Sequence, residues 1–427
     1  MIQPKYQPLG KYIREVNIRN KELKVKRLLG VSIQKMFMPS IANTVGTNMA
    51  NYKIVKRNQF AYGPVTSRNG DKISVALLEE YDEVIISQAY TSFEIIQPEL
   101  LHPEYLMMWF RRPEFDRFAR FMSHGSTREV FGWEEMCNVY LPIPSPEKQR
   151  EIVSEYNTVK NRITLNNQII QKLEETAQTI YKQWFVDFEF PISAKQAAAM
   201  GQPELEGKPY KSSGGKMVYN EELGKEIPEG WSNSELEEIC RKIGSGATPK
   251  GGKKSYQKGG ISLIRSTNIH DYRFSEDNLA FLNAKQAEEL KNAVVESKDI
   301  LLNITGVSVA RCAIVPDYVL PARVNQHVMI IRPKSGLNIN FYLEFFLCSS
   351  ESKSKLLGIS QAGSTREAIT KSDVEKFQVV IPSKVLLRKF QSLVSELFEI
   401  TYIKRREINN LVSLKELLYS KLVTIEN

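Results

Sequence analysis

Gly125-Ser126-Thr127-Arg128-Glu129 returns further along the chain as Gly363-Ser364-Thr365-Arg366-Glu367. The offset is 238 residues, 363 minus 125. Held without a gap, it sets Ile143-Pro144-Ser145 on Ile381-Pro382-Ser383, Arg150 on Arg388, Ile170 on Ile408, Leu173 on Leu411 and Tyr181 on Tyr419. One such match can be chance; an ungapped series marks a duplicated unit. Upstream the match loosens. Tyr105-Leu106 answers Tyr342-Leu343, each opening a helix, and Ser87-Gln88-Ala89-Tyr90 sits opposite Asn325-Gln326-His327-Val328. Roughly residues 14–85 and 241–322 barely agree. Two readers of different targets would diverge in this way inside a shared frame, and so would two copies under neutral drift.

The tail of each copy reads as a long helix. Apolar positions run Ile152, Tyr156, Val159, Ile163, then polar Asn166, then Ile170, Leu173, Ala177, Ile180 and Trp184. Alternating steps of four and three over more than four heptads make a coiled-coil seam, and one polar residue in it can fix register. A helix from Glu147 to Phe185 would be roughly 55–60 Å long at 1.5 Å per residue. The second copy supplies Phe390, Val394, Leu397, Ile408, Leu411, Leu418 and Leu422, with Lys404 opposite Asn166. Each stripe alone would stay wet, so the simplest partner is the other helix, packed antiparallel across the intervening domain. Residues 187–230 carry Pro191, Pro203, Pro209, Ser212-Ser213-Gly214-Gly215 and Pro228-Glu229-Gly230, which predicts an exposed linker with short ordered pieces.

Composition narrows the class. At 427 residues the chain suggests about three folding units on a prior of roughly 150 residues each. With 42 % hydrophobic and 25 % charged residues, disorder, collagen and a disulfide scaffold are excluded. Cys137, Cys240, Cys312 and Cys348 are far apart, which disfavours structural zinc and fits a reducing cytosol. MIQPKYQPLG lacks the apolar core of a signal peptide, and no apolar run reaches the roughly 20 residues of a membrane span. These features predict a soluble, cytoplasmic protein. The net charge of +9 is uneven: residues 1–36 hold Lys5, Lys11, Arg14, Arg19, Lys21, Lys24, Lys26, Arg27 and Lys35 against Glu15 and Glu22. Such a stretch either attracts a polyanion or solvates a surface.

The divergent domains mix strands with polar loops. Ile73–Leu77, Val84–Ile86 and Phe93–Ile96 read as strands in the first copy. Ile261–Ile264, Asp299–Leu302 and Val328–Ile331 do so in the second. Gly244-Ser245-Gly246-Ala247-Thr248-Pro249-Lys250 leads into Lys253-Lys254-Ser255-Tyr256 and Arg265-Ser266-Thr267-Asn268. Lysines neutralise phosphates, glycines allow close backbone approach, and Arg or Asn can pair with a purine edge. The same loops also fit simple solvated connections, and Arg68-Asn69-Gly70-Asp71 a hairpin turn. The glycine-rich stretch lacks P-loop spacing. Gly-Ser-Thr-Arg-Glu suits a phosphate-binding loop or a structural turn.

Enzyme signatures are sparse. No Asn-Pro or Asp-Pro dipeptide is present to open an adenine-methyltransferase slot. Asp277 with Glu289 and Lys291 has a nuclease-like spacing, which would make the chain a self-contained Mg-dependent nuclease; Glu-x-Lys is also common on helix surfaces. A coiled-coil scaffold that does not read DNA is a third possibility.

The order of domain, Gly-Ser-Thr-Arg-Glu, Ile-Pro, long helix and linker, then the whole again, resembles the specificity subunit of type I restriction–modification systems. Tyr12-Ile13-Arg14-Glu15-Val16-Asn17, Trp184-Phe185-Val186-Asp187-Phe188-Glu189, Gly207-Lys208-Pro209-Tyr210-Lys211-Ser212-Ser213-Gly214-Gly215 and Ile227-Pro228-Glu229-Gly230-Trp231 strengthen the resemblance, which spans essentially the whole chain. The second copy departs from it where Leu386-Leu387-Arg388 replaces Lys148-Gln149-Arg150.

The resemblance implies an α+β fold of two mixed α/β target recognition domains joined by two long antiparallel coiled-coil helices, with an internal pseudo-twofold repeat. Its parts would be recognition domains 1–145 and 231–383, spacer helices 146–186 and 384–427, and a linker 187–230. It implies double-stranded DNA as ligand, two methyltransferase subunits as partners and restriction subunits through them, and no membrane. S-adenosylmethionine, ATP and Mg would belong to those partners, and this chain would carry no catalytic residue and no metal. A longer helix would change the spacer, not the half-sites. Candidate DNA contacts are Arg14, Lys35, Asn58, Gln59, Arg68, Gln88, Thr127 and Arg128 in the first copy. In the second they are Thr248, Lys250, Lys253, Lys254, Tyr256, Arg265, Thr267, Asn268, Arg311, Asn325, Gln326, Thr365 and Arg366.

Overall fold

Heptad spacing and proline set the two longest elements. The first long helix, Pro146–Tyr181, starts on the proline that suits a helix's first turn. It ends in a π-helical turn, Lys182–Val186. The second long helix is Lys384–Lys421. The computed structural model describes residues 6–40, 46–67, 69–125, 129–362 and 368–423, with the backbone alone for Lys253 and Ala362. Packing divides the chain into two units, residues 1–168 with 404–427 and residues 169–403, so each long helix contributes to both.

In the first unit, Ile13–Val16, Thr91–Ile95, Phe60–Tyr62 and Val75–Leu77 form a four-stranded antiparallel sheet in that order. Phe93 lies opposite Phe60 in register, and their rings stack 4.8 Å apart. Phe110, Phe115 and Phe131 complete an aromatic core with Tyr62. A three-stranded sheet, Ile18–Arg19, Lys53–Lys56 and Glu83–Ile86, adds a smaller cluster around Val55, Val84 and Ile86. The helix Pro103–Phe110 lays Tyr105 and Leu106 into the main core, together with Ile152, Tyr156 and Val159 of the first long helix and Leu418, Tyr419 and Leu422 of the second.

The helices pair antiparallel within this unit: Tyr156 meets Tyr419 hydroxyl to hydroxyl at 2.8 Å, and Arg162 meets Glu407 at 2.5 Å. Asn166 occupies its seam position fully buried. Its amide makes no hydrogen bond of ordinary length, yet it lies close enough to Glu407 to help hold that carboxylate ionised. Arg162 first and Lys404 second pull Glu407 down to about 2. Asn166 and Lys404 are the equivalent positions of the two copies, so at this polar level of the seam the duplication faces itself.

The second unit repeats the main sheet strand for strand: Cys240–Ser245, Val328–Pro333, Ile300–Asn303 and Cys312–Ile314 in that order, all antiparallel. Its second sheet is different. It orders Ala280–Leu282, Ile261–Ile264, Ala322–Val324 and Val294–Val295, and the middle pair is parallel. The two units thus share the main sheet, and the divergence belongs to the sheet beside it. Tyr181 and Trp184 pack on Phe390 at centroid distances of 6.2 and 6.1 Å, again antiparallel, with Ala177 and Val394 in the same cluster. The seam of the second helix continues through Thr401, buried at a position that the apolar pattern skips.

Residues 187–230 are far more ordered than a proline- and glycine-rich linker. Phe190 stacks on Tyr210 at 4.5 Å and on Trp231 at 5.4 Å, and Phe188, Ile192, Ala197 and Ile227 are buried in the same core. Ser193 and Gln196 cap the helix Ala194–Ala199 reciprocally, and Met217–Asn220 pairs with Lys225–Pro228. Gly215 is needed because a Cβ there would lie 2.4 Å from the Tyr210 ring. Large aromatics supply the burial that composition hid.

Candidate nucleic-acid interface

In both units the segment just after the repeated pentapeptide bridges to a loop that follows the same strand of the main sheet. Val130 bridges Val65 in the first unit, and Ala368, its counterpart at the 238-residue offset, bridges Thr305 in the second. Thr127, Arg128, Thr365, Arg366 and Arg68 lie outside the described residues, as does the side chain of Lys253. The frame that carries the two pentapeptides is therefore built twice, and what stands around it differs.

In the second unit this edge is densely tied. Gly246 N–H donates to the Asn325 carbonyl at 3.1 Å, Asn325 N–H to Ile264 at 3.1 Å, and Ile304 N–H to His327 at 3.0 Å. Gly246 cannot carry a side chain: a Cβ would stand 1.7 Å from the Val324 carbonyl oxygen. On this base Thr248, Gln326, His327 and Thr305 form one chain of hydrogen bonds. Thr248 donates to Gln326 Oε1. Gln326 Nε2 meets His327 Nε2 at 3.0 Å, and His327 Nδ1 meets Thr305 Oγ1 at 2.6 Å. The Gln326 amide nitrogen can only donate, so the ring proton sits on Nδ1 and points at Thr305. Thr248, Lys250, Lys254, Thr267 and Gln326 are exposed, and Tyr256 and Arg311 half-buried. Burial first, then the neighbouring Arg273 and Arg311 charges, push His270 below its ordinary value against the opposing pull of Asp271 and Asp277.

Several expected contacts serve the fold instead. Lys35 is buried with a positive φ, paired to Asp116 at 2.8 Å and bonded to the Phe110 carbonyl. Burial drives its amine downward against the pull of Asp116. Gln59 is buried and spans from the Lys56 backbone at 2.8 Å to Glu94 at 2.7 Å. Glu94 in turn pairs with the exposed Arg14 at 2.6 Å. Asn268 is fully buried, its amide donating to Ser275 and Asp277 at 3.0 and 3.1 Å and accepting from Arg265 N–H at 3.1 Å. Asn325 is buried and accepts from His327 N–H at 3.1 Å. Asn268 and Asn325 close their own loops, whereas Lys35 and Gln59 tie distant segments together; either way the polar atoms are engaged inside the fold. Arg265 is part-way there, donating to the Asn278 carbonyl with its guanidinium 5.7 Å from the Tyr256 ring.

In the first unit Asn58 and Gln88 stand exposed, Asn58 in a left-handed turn. Thr66 ties the equivalent edge, its N–H donating to Glu129 at 3.0 Å and its hydroxyl bonded to Ser123 at 2.9 Å. His327 and Thr305 were not among the expected contacts. The offset that sets Gln326 opposite Gln88 was the signal for His327, since it marks the whole Asn325–Val328 turn; no spacing marked Thr305. Among the described residues no group of three or more His, Cys, Asp or Glu side chains is placed to hold a metal ion, and Asp277 is bonded to Ser275 at 2.9 Å. No described helix is long and apolar enough to cross a membrane.

One strand order used twice, with a differently furnished loop edge each time, defines a duplicated recognition protein. The type I restriction modification DNA specificity domain matches residues 17–175 and 228–411, so the chain belongs to that family, as a type I restriction–modification specificity subunit. It is 28 % identical over 331 residues to the MjaIX specificity subunit of Methanocaldococcus jannaschii, covering 77 % of this chain and 70 % of the relative. With the HindI specificity subunit of Haemophilus influenzae it shares 24 % over 416 residues, 88 % and 87 % of the two chains. The crystal structure of an S subunit from M. genitalium superposes with a TM-score of 0.59 at 13 % identity, covering 99 % of this chain and 96 % of the other, which supports the fold alone.

Proposed function

We propose that the chain reads a split, asymmetric duplex target, one half through residues 1–145 and the other through 231–383, with the helices 146–186 and 384–427 setting the unread spacer. It breaks and forms no bond itself. Two methyltransferase subunits methylate adenine with S-adenosylmethionine, and restriction subunits add ATP- and Mg-dependent cleavage, on cytoplasmic DNA. Phosphates are held by Thr127, Arg128, Thr365, Arg366, Lys250 and Lys254, and bases are approached by the exposed amides and hydroxyls of Asn58, Gln88, Thr248 and Gln326. The observation behind this reading is the doubled loop edge, alike in strand order and unlike in side chains, which suits two half-sites of different sequence.

Exchanging residues 1–124 for those of another such domain tests it. Mapping methylated adenines in cells with the parent and the hybrid should give motifs that differ in one half only; a change in both halves, or in neither, refutes the modular reading. Cleavage of DNA by the purified chain with Mg²⁺ alone would refute the non-catalytic role.

A further inference from the structure

We infer that Gln326 is a base-reading residue of the second unit and that it reads adenine, with His327, Thr305 and Thr248 acting as positioning residues. The inference rests on the DNA-reading role proposed above and deepens it.

An exposed glutamine ordinarily turns freely in water. Gln326 is exposed, yet Thr248 holds its amide oxygen and His327 its amide nitrogen. His327 is fixed from its other ring nitrogen by Thr305, whose backbone bridges to Ala368. Three separate segments thus converge to orient one surface amide. Ordering a long polar side chain costs conformational entropy that a solvated surface has no reason to lose, and it pre-pays the ordering cost of binding. The bonds leave a definite remainder. An amide oxygen accepts twice and an amide nitrogen donates twice. Among the described residues each has one partner, so one lone pair and one N–H remain to face outward. Adenine offers an N6 donor and an N7 acceptor in the major groove, the complement of that remainder. Guanine offers two acceptors there and would leave the amide oxygen unpaired. Gln88, at the equivalent position of the first unit, is exposed and has an alanine where His327 stands, so the device belongs to one half-site only.

The test uses the complex of the full chain with its methyltransferase partner and duplexes carrying the motif mapped in cells. Each adenine in the half read by residues 231–383, except the one methylated, is replaced in turn by 7-deazaadenine, which lacks the N7 acceptor. One replacement should weaken binding by roughly 5- to 150-fold. Gln326→Ala should lose as much on unmodified DNA and become indifferent to that replacement. His327→Ala and Thr305→Val should reduce the preference for adenine over guanine at that position. The loss should fall on that preference far more than on affinity for unrelated DNA or on the thermal midpoint, and Gln326→Asn should fail to restore it, which a merely structural role would not produce. Selectivity that survives Gln326→Ala, or a half with no responding adenine, overturns the assignment. A parent complex with no sequence preference overturns the DNA-reading role as well.

Discussion

The buried ion pair between Arg332 and Asp299 allows a prediction with a worked magnitude. Arg332 Nε and Nη2 reach Asp299 Oδ1 and Oδ2 at 2.6 and 2.7 Å, and Nη2 also reaches the Val294 carbonyl at 2.9 Å. Asp299 Oδ2 accepts from Glu296 N–H at 2.7 Å and is fully buried. Asp299→Asn removes the charge and one acceptor while the guanidinium stays inside. Arg332 keeps the Glu296 carboxylate on its Nη1, so the loss falls short of the about 3–5 kcal/mol of a buried charge left with no partner and exceeds the about 0–1 of an exposed pair, at roughly 1–3 kcal/mol. Typical domain stabilities are about 5–15 kcal/mol, so the loss is a large share of what holds this unit together. Arg332 lies on Val328–Pro333, the strand that begins just after His327, so the damage reaches the loop edge. Denaturant titration of the full chain, with hydrogen exchange read on Ile300–Asn303 and Val328–Pro333, should show the loss confined to the second unit. The pair Asp299→Leu with Arg332→Met should recover most of it, because well-packed apolar replacements of buried pairs are often neutral or better. A loss under about 1 kcal/mol for Asp299→Asn would mean the pair behaves as a solvated one, and the reasoning fails.

Other predictions follow from single contacts. Glu344 is buried and raised to about 8 from an ordinary 4.5, chiefly by desolvation, so its folded form keeps a proton that the unfolded form releases. Stability from this group is full below about pH 4.5 and is lost as pH rises towards 8. The thermal midpoint of the parent should therefore fall relative to that of Glu344→Gln across that window, and the two should run parallel above it; parallel curves throughout would contradict the assignment. Gly246→Ala, whose methyl would collide with the Val324 carbonyl, should abolish specific binding while leaving the first unit's hydrogen exchange intact. Lys254→Ala should lower the salt dependence of DNA binding by about 0.9 in log–log slope without altering base preference, if Lys254 meets one phosphate.

Periodicity made the helices legible. The steps from Ile152 to Trp184 required a seam, and the buried residues follow it through Asn166. The second seam was half-hidden, because Thr401 and Lys404 occupy it with polar atoms. The linker was misread for a related reason: Phe188, Phe190, Tyr210 and Trp231 are too widely spaced to make a pattern, and meet only after the chain has turned. At the site, residue type marked the right loops but not the direction of a side chain. Asn268 and Gln326 are both amides beside cations; one is bonded inward on both atoms and the other is held outward by Thr248 and His327. That difference is set by contacts between segments, which no local spacing encodes.

The first unit is assembled from chain segments made at very different times. Its core holds Tyr105, Leu106 and Tyr156 together with Leu418, Tyr419 and Leu422, while everything from residue 169 to 403 goes into the other unit. At roughly 5–20 residues per second, a ribosome takes tens of seconds to cross that interval. During it the nascent first unit shows an open apolar strip where the last helix will lie, and the second unit has its complete sequence first. Translation order thus makes the earliest residues the last to be sealed, and gives chaperones, or a partner subunit arriving early, a defined interval in which to act on them.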